Sequence, residues 1–438
     1  MRVIVVGAGV AGLTIADAVR CAGAEVVVLE ARDRLGGRTW TVPLGSGVID
    51  LGGAWVHGPV GNPLAEALVA AKVGARNDGA FYSRMAVWAD GWADAPEATA
   101  LAAAAMADWD PSEALAALSG SDSFVDGVEW FLADRELGGR VGELVRFALL
   151  WVQGAIDTAA PPDRISLAAA ALYEEGAGGN LVPAGGYRSL VERLSAGLDV
   201  RLGTAVTGVE HGGDKVVVRT GGETFEGDRA VVTVPLGVLR AGALAFDPPL
   251  SAGHAAAVEY LAMGTLEKLV FRFPERFWPA SVWQIAHAGG KAFPWWHDFS
   301  RHVGSPTLVG CYNPTVAPDL AELPAAQRVG PALQVLRTMF GSVPDPDETI
   351  VTDWAGDPWA FGSYSYVPIG ATVHDMYRLA EPVSDRLLLA GEATVPECYG
   401  TVHAAFGSGL RAAAWALGKR PERLSLGPVP PHWLAGAE

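Results

Sequence analysis

Residues 2–38 read RVIVVGAGVAGLTIADAVRCAGAEVVVLEARDRLGGR. Val3 to Val6 is an unbroken run of β-branched side chains, which suits a parallel strand covered on both faces. Gly7, Gly9 and Gly12 follow in GxGxxG spacing and open an Ala-rich helical segment. Gly7 allows a tight strand-to-helix turn, Gly9 lets backbone approach a pyrophosphate, and Gly12 lets helix and strand pack closely. The helix start offers unpaired N–H groups to phosphate oxygens. A second apolar run, Val26 to Leu29, ends in Glu30, placed to accept hydrogen bonds from a ribose. Strand, glycines, helix, strand and terminal acid together predict a βαβ dinucleotide-binding unit.

Working outward, the 438 residues are enough for two domains with separate cores. Half the residues are hydrophobic and 18% are charged, which excludes wholesale disorder. Lys and Arg total 32 against 49 Asp and Glu, a formal charge of −17. A nucleic-acid partner is therefore not expected, since phosphate contacts need a basic face. An acidic surface steers cationic ligands inward, or only keeps the chain soluble. Cys21, Cys311 and Cys398 are too few and scattered for a disulfide framework or a zinc site, so no metal is expected and a reducing, cytoplasmic setting fits. The closing LSLGPVPPHWLAGAE (424–438) is short and proline-broken, so no membrane anchor is expected. Oligomeric state is not set by the sequence; a homodimer is compatible with it.

Helical spacing marks 62–75, the Ala-rich 98–108, a short helix opened by Asp110–Pro111 and running to about Ser119, and 125–151. Segments 200–209, 215–220 and 223–234 read as hairpin strands separated by Gly-Gly turns.

Arg32 to Arg38 (RDRLGGR) and Asp50 to Pro59 (DLGGAWVHGP) resemble the flavin-containing amine oxidases, a family that spans monoamine oxidases, polyamine oxidases and lysine-specific histone demethylases. The chain is most similar to the polyamine oxidase branch. The resemblance implies an α/β (α+β) two-domain fold. Its Rossmann-like FAD domain would comprise 1–75, 181–248 and 351–425, and its substrate domain of mixed sheet and helices 76–180 and 249–350, leaving 426–438 as a tail. FAD contacts are implied for Gly7, Gly9, Gly12, Glu30, Arg32, Gly37, Arg38, Gly53, Ala54, Trp55 and the backbone of Val206.

Three further places carry the resemblance. In GTLEKLVFRFPERFW (264–278), Lys268 on pattern alone would be an exposed lysine of an edge strand. The matching family lysine lies beside the flavin and holds a water against it, which makes Lys268 the leading catalytic candidate. TDWAGDPWAFGSYSYVPIG (352–370) matches the polyamine oxidase and demethylase version. Ser363 stands where monoamine oxidases attach FAD through cysteine, which implies non-covalent FAD. Trp354 is expected at the flavin edge, Tyr364 as one wall of an aromatic cage, and Trp359 as a weaker substrate-binding candidate. RLLLAGEATVPECYGTVHAAFGSGLRAA (386–413) resembles the family's C-terminal flavin signature and places Gly391, Glu392, Thr401 and Val402 at the cofactor and Tyr399 at the substrate. Thr401 replaces the second cage tyrosine of monoamine oxidases, so their substrate range is in doubt. His57 resembles a substrate-channel histidine of polyamine oxidases and is a candidate base; its bland alternative is a structural loop residue. His403 is read as packing near the flavin.

The implied reaction removes a hydride from the carbon next to an amine nitrogen to flavin N5, with imine hydrolysis and reoxidation by O2 to hydrogen peroxide. Rival readings are an L-amino-acid oxidase, a biosynthetic amine or amide oxidase, a desaturase-type FAD dehydrogenase, and a flavoprotein interaction module.

Overall fold

The computed structural model describes residues 1–79, 85–89, 95–118, 122–174, 176–290 and 292–434. Ser119 and the last four residues of the expected tail lie outside these.

Val3 to Val5 are fully buried, as an apolar run in a two-sided parallel sheet must be. That sheet has six strands in the order Pro382–Ser384, Leu387–Leu389, Arg229–Val232, Arg2–Val6, Glu25–Leu29 and Asp199–Arg201. Val5 is in register with Val28 on one side and Val231 on the other, both parallel. The Val10–Cys21 helix starts at Gly9 with no side-chain cap. It packs on the Val402–Leu417 helix, which is capped by the Thr401 hydroxyl accepting the Ala404 N–H and stopped by left-handed Gly418.

A second six-stranded sheet runs Glu348–Val351, Glu267–Arg272, Thr307–Tyr312, Trp295–Asp298, Gln284–His287 and Met85–Trp88. Its core includes Phe271, Trp296, Leu308 and Tyr312, all fully buried. Beside it lie the helices Ala95–Asp108, Pro111–Ala117, Phe124–Asp134 and Gly139–Phe147, and a π-helical turn at Ala148–Gly154. Asp110 caps the second of these through the Ser112 N–H at 2.8 Å, with Pro111 in the first turn. Each sheet draws on strands hundreds of residues apart.

Four expectations are corrected. The 62–75 helix ends at Ala70, because Lys72 turns left-handed and the Ala75–Asn77 strand follows. The 200–209 and 223–234 stretches are not single hairpin strands. Asp199–Arg201 joins the parallel sheet, whereas Val206–Glu210 pairs with Val216–Thr220. Thr224–Gly227 completes that hairpin, but Arg229–Val232 crosses to lie beside Arg2–Val6. The all-apolar Ala230–Val232 is the run that can be covered on both faces, which is why the chain changes sheet there. Lys268 lies on an interior strand with 6% exposure, not on an edge.

Among the described residues no helix is long and apolar enough to cross a membrane, and no His/Cys/Asp/Glu group could hold a metal.

The helix–helix crossing supplies a test. A Cβ on Gly409 would meet the Ala11 carbonyl oxygen at 2.8 Å, whereas one on Gly407 meets nothing within 4 Å. Gly409→Ala should lower the denaturation midpoint, at a cost of about 1–3 kcal/mol from overpacking. Gly407→Ala should hold or raise it by up to about 1 kcal/mol through helix propensity. Equal midpoints for the two variants would contradict the packing.

Candidate active site

A single cavity of about 570 Å³ is lined at one end by Gly7, Gly9, Glu30 and Arg38 and reaches Lys268, Tyr364 and Tyr399. The glycines of the first turn are sterically required. Gly7 has φ +104°, and a Cβ on Gly12 would come within 2.0 Å of the Gly7 carbonyl oxygen. Gly37 approaches Gly9 so closely that its Cβ would meet the Gly9 Cα at 3.3 Å. The Glu30 carboxylate accepts the Ala8 N–H at 2.6 Å and the Arg32 N–H at 2.9 Å, which fixes it at the strand end. An uncapped helix start, a close backbone turn and a buried strand-end acid fit a dinucleotide's phosphates and ribose. Val206 also lines this cavity.

The Arg32 guanidinium takes Asp357 in a two-point pair at 2.7 and 2.9 Å, so its charge is committed to protein. Arg38 bonds the Ser363 carbonyl at 3.1 Å and Glu392 at 2.9 Å. Glu392 also accepts the Ser365 hydroxyl at 2.5 Å and the Gly400 N–H at 2.8 Å. This one buried carboxylate ties together the Gly36–Arg38 turn, the GSYSY run and the start of the last helix, and Gly391 precedes it in the cavity wall. Gly53, Ala54, Trp55, Thr401 and Val402 line the same wall, and a Cβ on Gly53 would meet Val402 at 2.7 Å. Trp354 is buried, donates its indole N–H to the Leu51 carbonyl at 3.3 Å and lines the cavity.

Lys268 donates to the Gly52 carbonyl at 2.6 Å and the Asp50 carbonyl at 3.3 Å, and its Nζ lies 5.4 Å from the centre of the Trp55 ring. Burial pulls its pKa below the usual lysine value, opposed by the neighbouring Cys311 and Asp50. Burial also pushes the Asp50 carboxyl up to about 6, against the Thr41 hydroxyl and Lys268. Lys268 pairs with Cys311 on the next strand, and Cys311 pairs with Trp295 on the one after. All three line the cavity as one cross-strand row.

The Tyr364 hydroxyl donates to the Ile156 carbonyl at 2.6 Å, and its ring packs over Gly400. Tyr399 packs edge-on to Tyr173, ring centroids 5.3 Å apart. Tyr173, Glu174, Gln153 and Asp157 complete this part of the wall. Sequence reasoning missed these four. They sit outside the motifs, on the π-helical turn and the segments after it, and no local pattern marks them. The row Lys268–Cys311–Trp295 was detectable in principle, from period-two alternation once the strands are in register.

His57 lines the cavity, its Nδ1 2.6 Å from Asn180 Oδ1. His403 lines it too; burial, with His57 nearby, pushes its pKa down to about 3. Trp359 lines the cavity too; its backbone N–H donates to Asp357 at 2.8 Å, next to the Arg32 pair, and it is 37% exposed.

The comparisons agree with this architecture. Residues 10–417 match the family described as flavin containing amine oxidoreductase. Lysine-specific histone demethylase 1 homolog 3 of Oryza sativa subsp. japonica is 32% identical over 452 residues, covering 94% of this chain and 53% of that protein. Protein FLOWERING LOCUS D of Arabidopsis thaliana is 31% identical over 457 residues, covering 94% of this chain and 55% of that protein. The chain thus spans about half the length of the curated relatives it matches. Putrescine oxidase bound to putrescine superposes with a TM-score of 0.79 over 96% of this chain and 100% of that one, at 22% identity. That likeness shows the two-domain fold.

Gly12→Ala should purify folded but without flavin absorbance, because its Cβ displaces the Gly7 turn. Wild-type flavin loading in that variant would contradict the cradle.

Proposed function

The chain belongs to the flavin-containing amine oxidoreductases, and on that premise we propose that it oxidises the C–N bond of a polyamine-type amine, with non-covalent FAD and O2 as acceptor. The observation that carries this is the single cavity joining the glycine cradle to Lys268 and the tyrosines. When bound, the flavin supplies the two-electron acceptor for the C–H bond beside nitrogen.

The protein's part is to bind, orient and desolvate. Residues 1–75, 181–248 and 351–425 serve the cofactor in this reading, and 76–180 and 249–350 the substrate. The Ser363 hydroxyl accepts the Leu266 N–H at 2.9 Å and donates to the Gly264 carbonyl at 3.1 Å, and a serine offers no thiol for a flavin link. Asp157 and Glu174 give the cavity a negative wall that attracts a cation. An alkylamine with a pKa of roughly 10 arrives protonated. It must become neutral before its C–H bond can break, since only the neutral nitrogen has a lone pair to share. Tyr364, Tyr399 and Tyr173 supply aromatic faces that attract the cation on entry and exclude water around it. Lys268, its pKa lowered by burial, gives up and regains a proton at Nζ more readily than an ordinary lysine. His57, also lowered by burial, is neutral at neutral pH and can take the substrate's proton.

A methylated lysine side chain is the second reading, favoured by the identity to the plant lysine-specific histone demethylase homologs. Anaerobic mixing of the flavin-loaded protein with spermine, spermidine, N-acetylated polyamines, putrescine, aryl-alkyl amines, L-amino acids and a methyl-lysine peptide separates the readings. Polyamines should bleach the flavin absorbance, with colour and peroxide returning on admission of air. Bleaching by the peptide alone would establish the second reading, and bleaching by amino acids alone would overturn both.

Lys268→Met should retain flavin and turn over roughly ten- to a thousand-fold more slowly, the range for losing one proton-transfer group. Wild-type turnover in a flavin-replete variant would remove Lys268 from the mechanism.

A further inference from the structure

His57 and Asn180 face each other across two antiparallel strands, Val56–His57 and Asn180–Pro183, as a register pair. The strands hold them there: the Gly58 N–H donates to the Gly179 carbonyl at 3.0 Å, and the Asn62 side chain donates to the His57 carbonyl at 2.8 Å. Asn180 is 3% exposed. Its backbone N–H donates to the Gly79 carbonyl at 3.0 Å, and its Nδ2 reaches the same oxygen at 3.3 Å.

That second bond settles which way the amide points. With the amide turned over, Oδ1 would face the Gly79 carbonyl, acceptor against acceptor, in a buried place. Nδ2 therefore faces Gly79, Oδ1 faces the imidazole at 2.6 Å, and an oxygen acceptor there demands a hydrogen on Nδ1.

We infer that Asn180 is a positioning residue that fixes His57 in its Nδ1–H form and so makes Nε2 the basic atom of the ring. This rests on the reading of His57 as the base of the cavity. The proton step balances within the pair: an N–H bond of the substrate ammonium breaks, an Nε2–H bond forms, and the amine keeps the lone pair. The imidazolium so formed donates its Nδ1–H to Asn180, which stabilises the charge without contributing a competing one. Asn180 is uncharged, Trp55 lies with its ring centroid 6.5 Å away, and His403, at about 3, carries no charge near neutral pH. Burial lowers the His57 pKa while the Asn180 bond raises it, so changing the partner moves the titration in a known direction.

The test uses flavin-loaded protein labelled with 15N at histidine and long-range 1H–15N correlation spectra, the His57 signals being assigned by their loss in His57→Gln. Wild-type His57 should appear as the Nδ1–H form. Asn180→Asp replaces the amide by a carboxylate and favours the charged ring. It should strengthen proton binding at His57 roughly ten- to a hundred-fold, and the acid limb of kcat/KM should move to higher pH with it. Asn180→Leu removes the acceptor and should give mixed ring forms. A wild-type ring protonated at Nε2, or an Asn180→Asp protein in which the His57 titration has not moved, would overturn the inference. If the ring is Nδ1–H and Asn180→Asp shifts its titration while kcat/KM ignores it, Asn180 still sets the ring and His57 is not the base.

Discussion

A lysine ammonium inside a sheet has to be satisfied there, and Lys268 is satisfied by the backbone of the loop that follows the Gly47–Asp50 strand, outside its own sheet. Its two acceptors, the Asp50 and Gly52 carbonyls, belong to the loop that also carries Gly53, Ala54 and Trp55. Burying an unpaired cation is costly, so the amine ties the second six-stranded sheet to the Asp50–Gly52 loop at one spot. The position of the amine, the Trp55 ring below it and the cavity wall are set together.

Glu392 plays the same part on the opposite side. It is a buried carboxylate with a cationic partner, a hydroxyl and a backbone N–H, and it joins three segments more than 350 residues apart at the extremes. A buried carboxylate satisfied this fully gives geometric definition that apolar packing alone does not. Around it the wall of the cavity can be rigid although it is assembled from turns.

What was legible in the sequence follows from how local the cause is. The glycine turn, the strand before it and the acid after it are dictated by backbone sterics within thirty residues, and the structure has them in place. The interior position of Lys268 was not legible from alternation, because alternation reports a face and not the neighbours on either side. The split of 223–234 was missed for the same reason: β-branched residues favour a strand without naming the sheet. Tyr173, Glu174, Gln153 and Asp157 reach the cavity only because a π-helical turn and a helix end happen to point there. Nothing within their own segments signals it.

The interleaving of the two sheets has a bearing on biosynthesis. The Arg2–Val6 strand leaves the ribosome first, yet its neighbour Arg229–Val232 follows some two hundred residues later, and the Leu387–Leu389 strand beyond that comes after every strand of the second sheet. Neither layer can be finished as an isolated unit during synthesis. The nascent chain must keep a nearly complete apolar edge open while the intervening lobe forms. Such long-range pairing folds slowly and exposes that edge to wrong partners in the meantime.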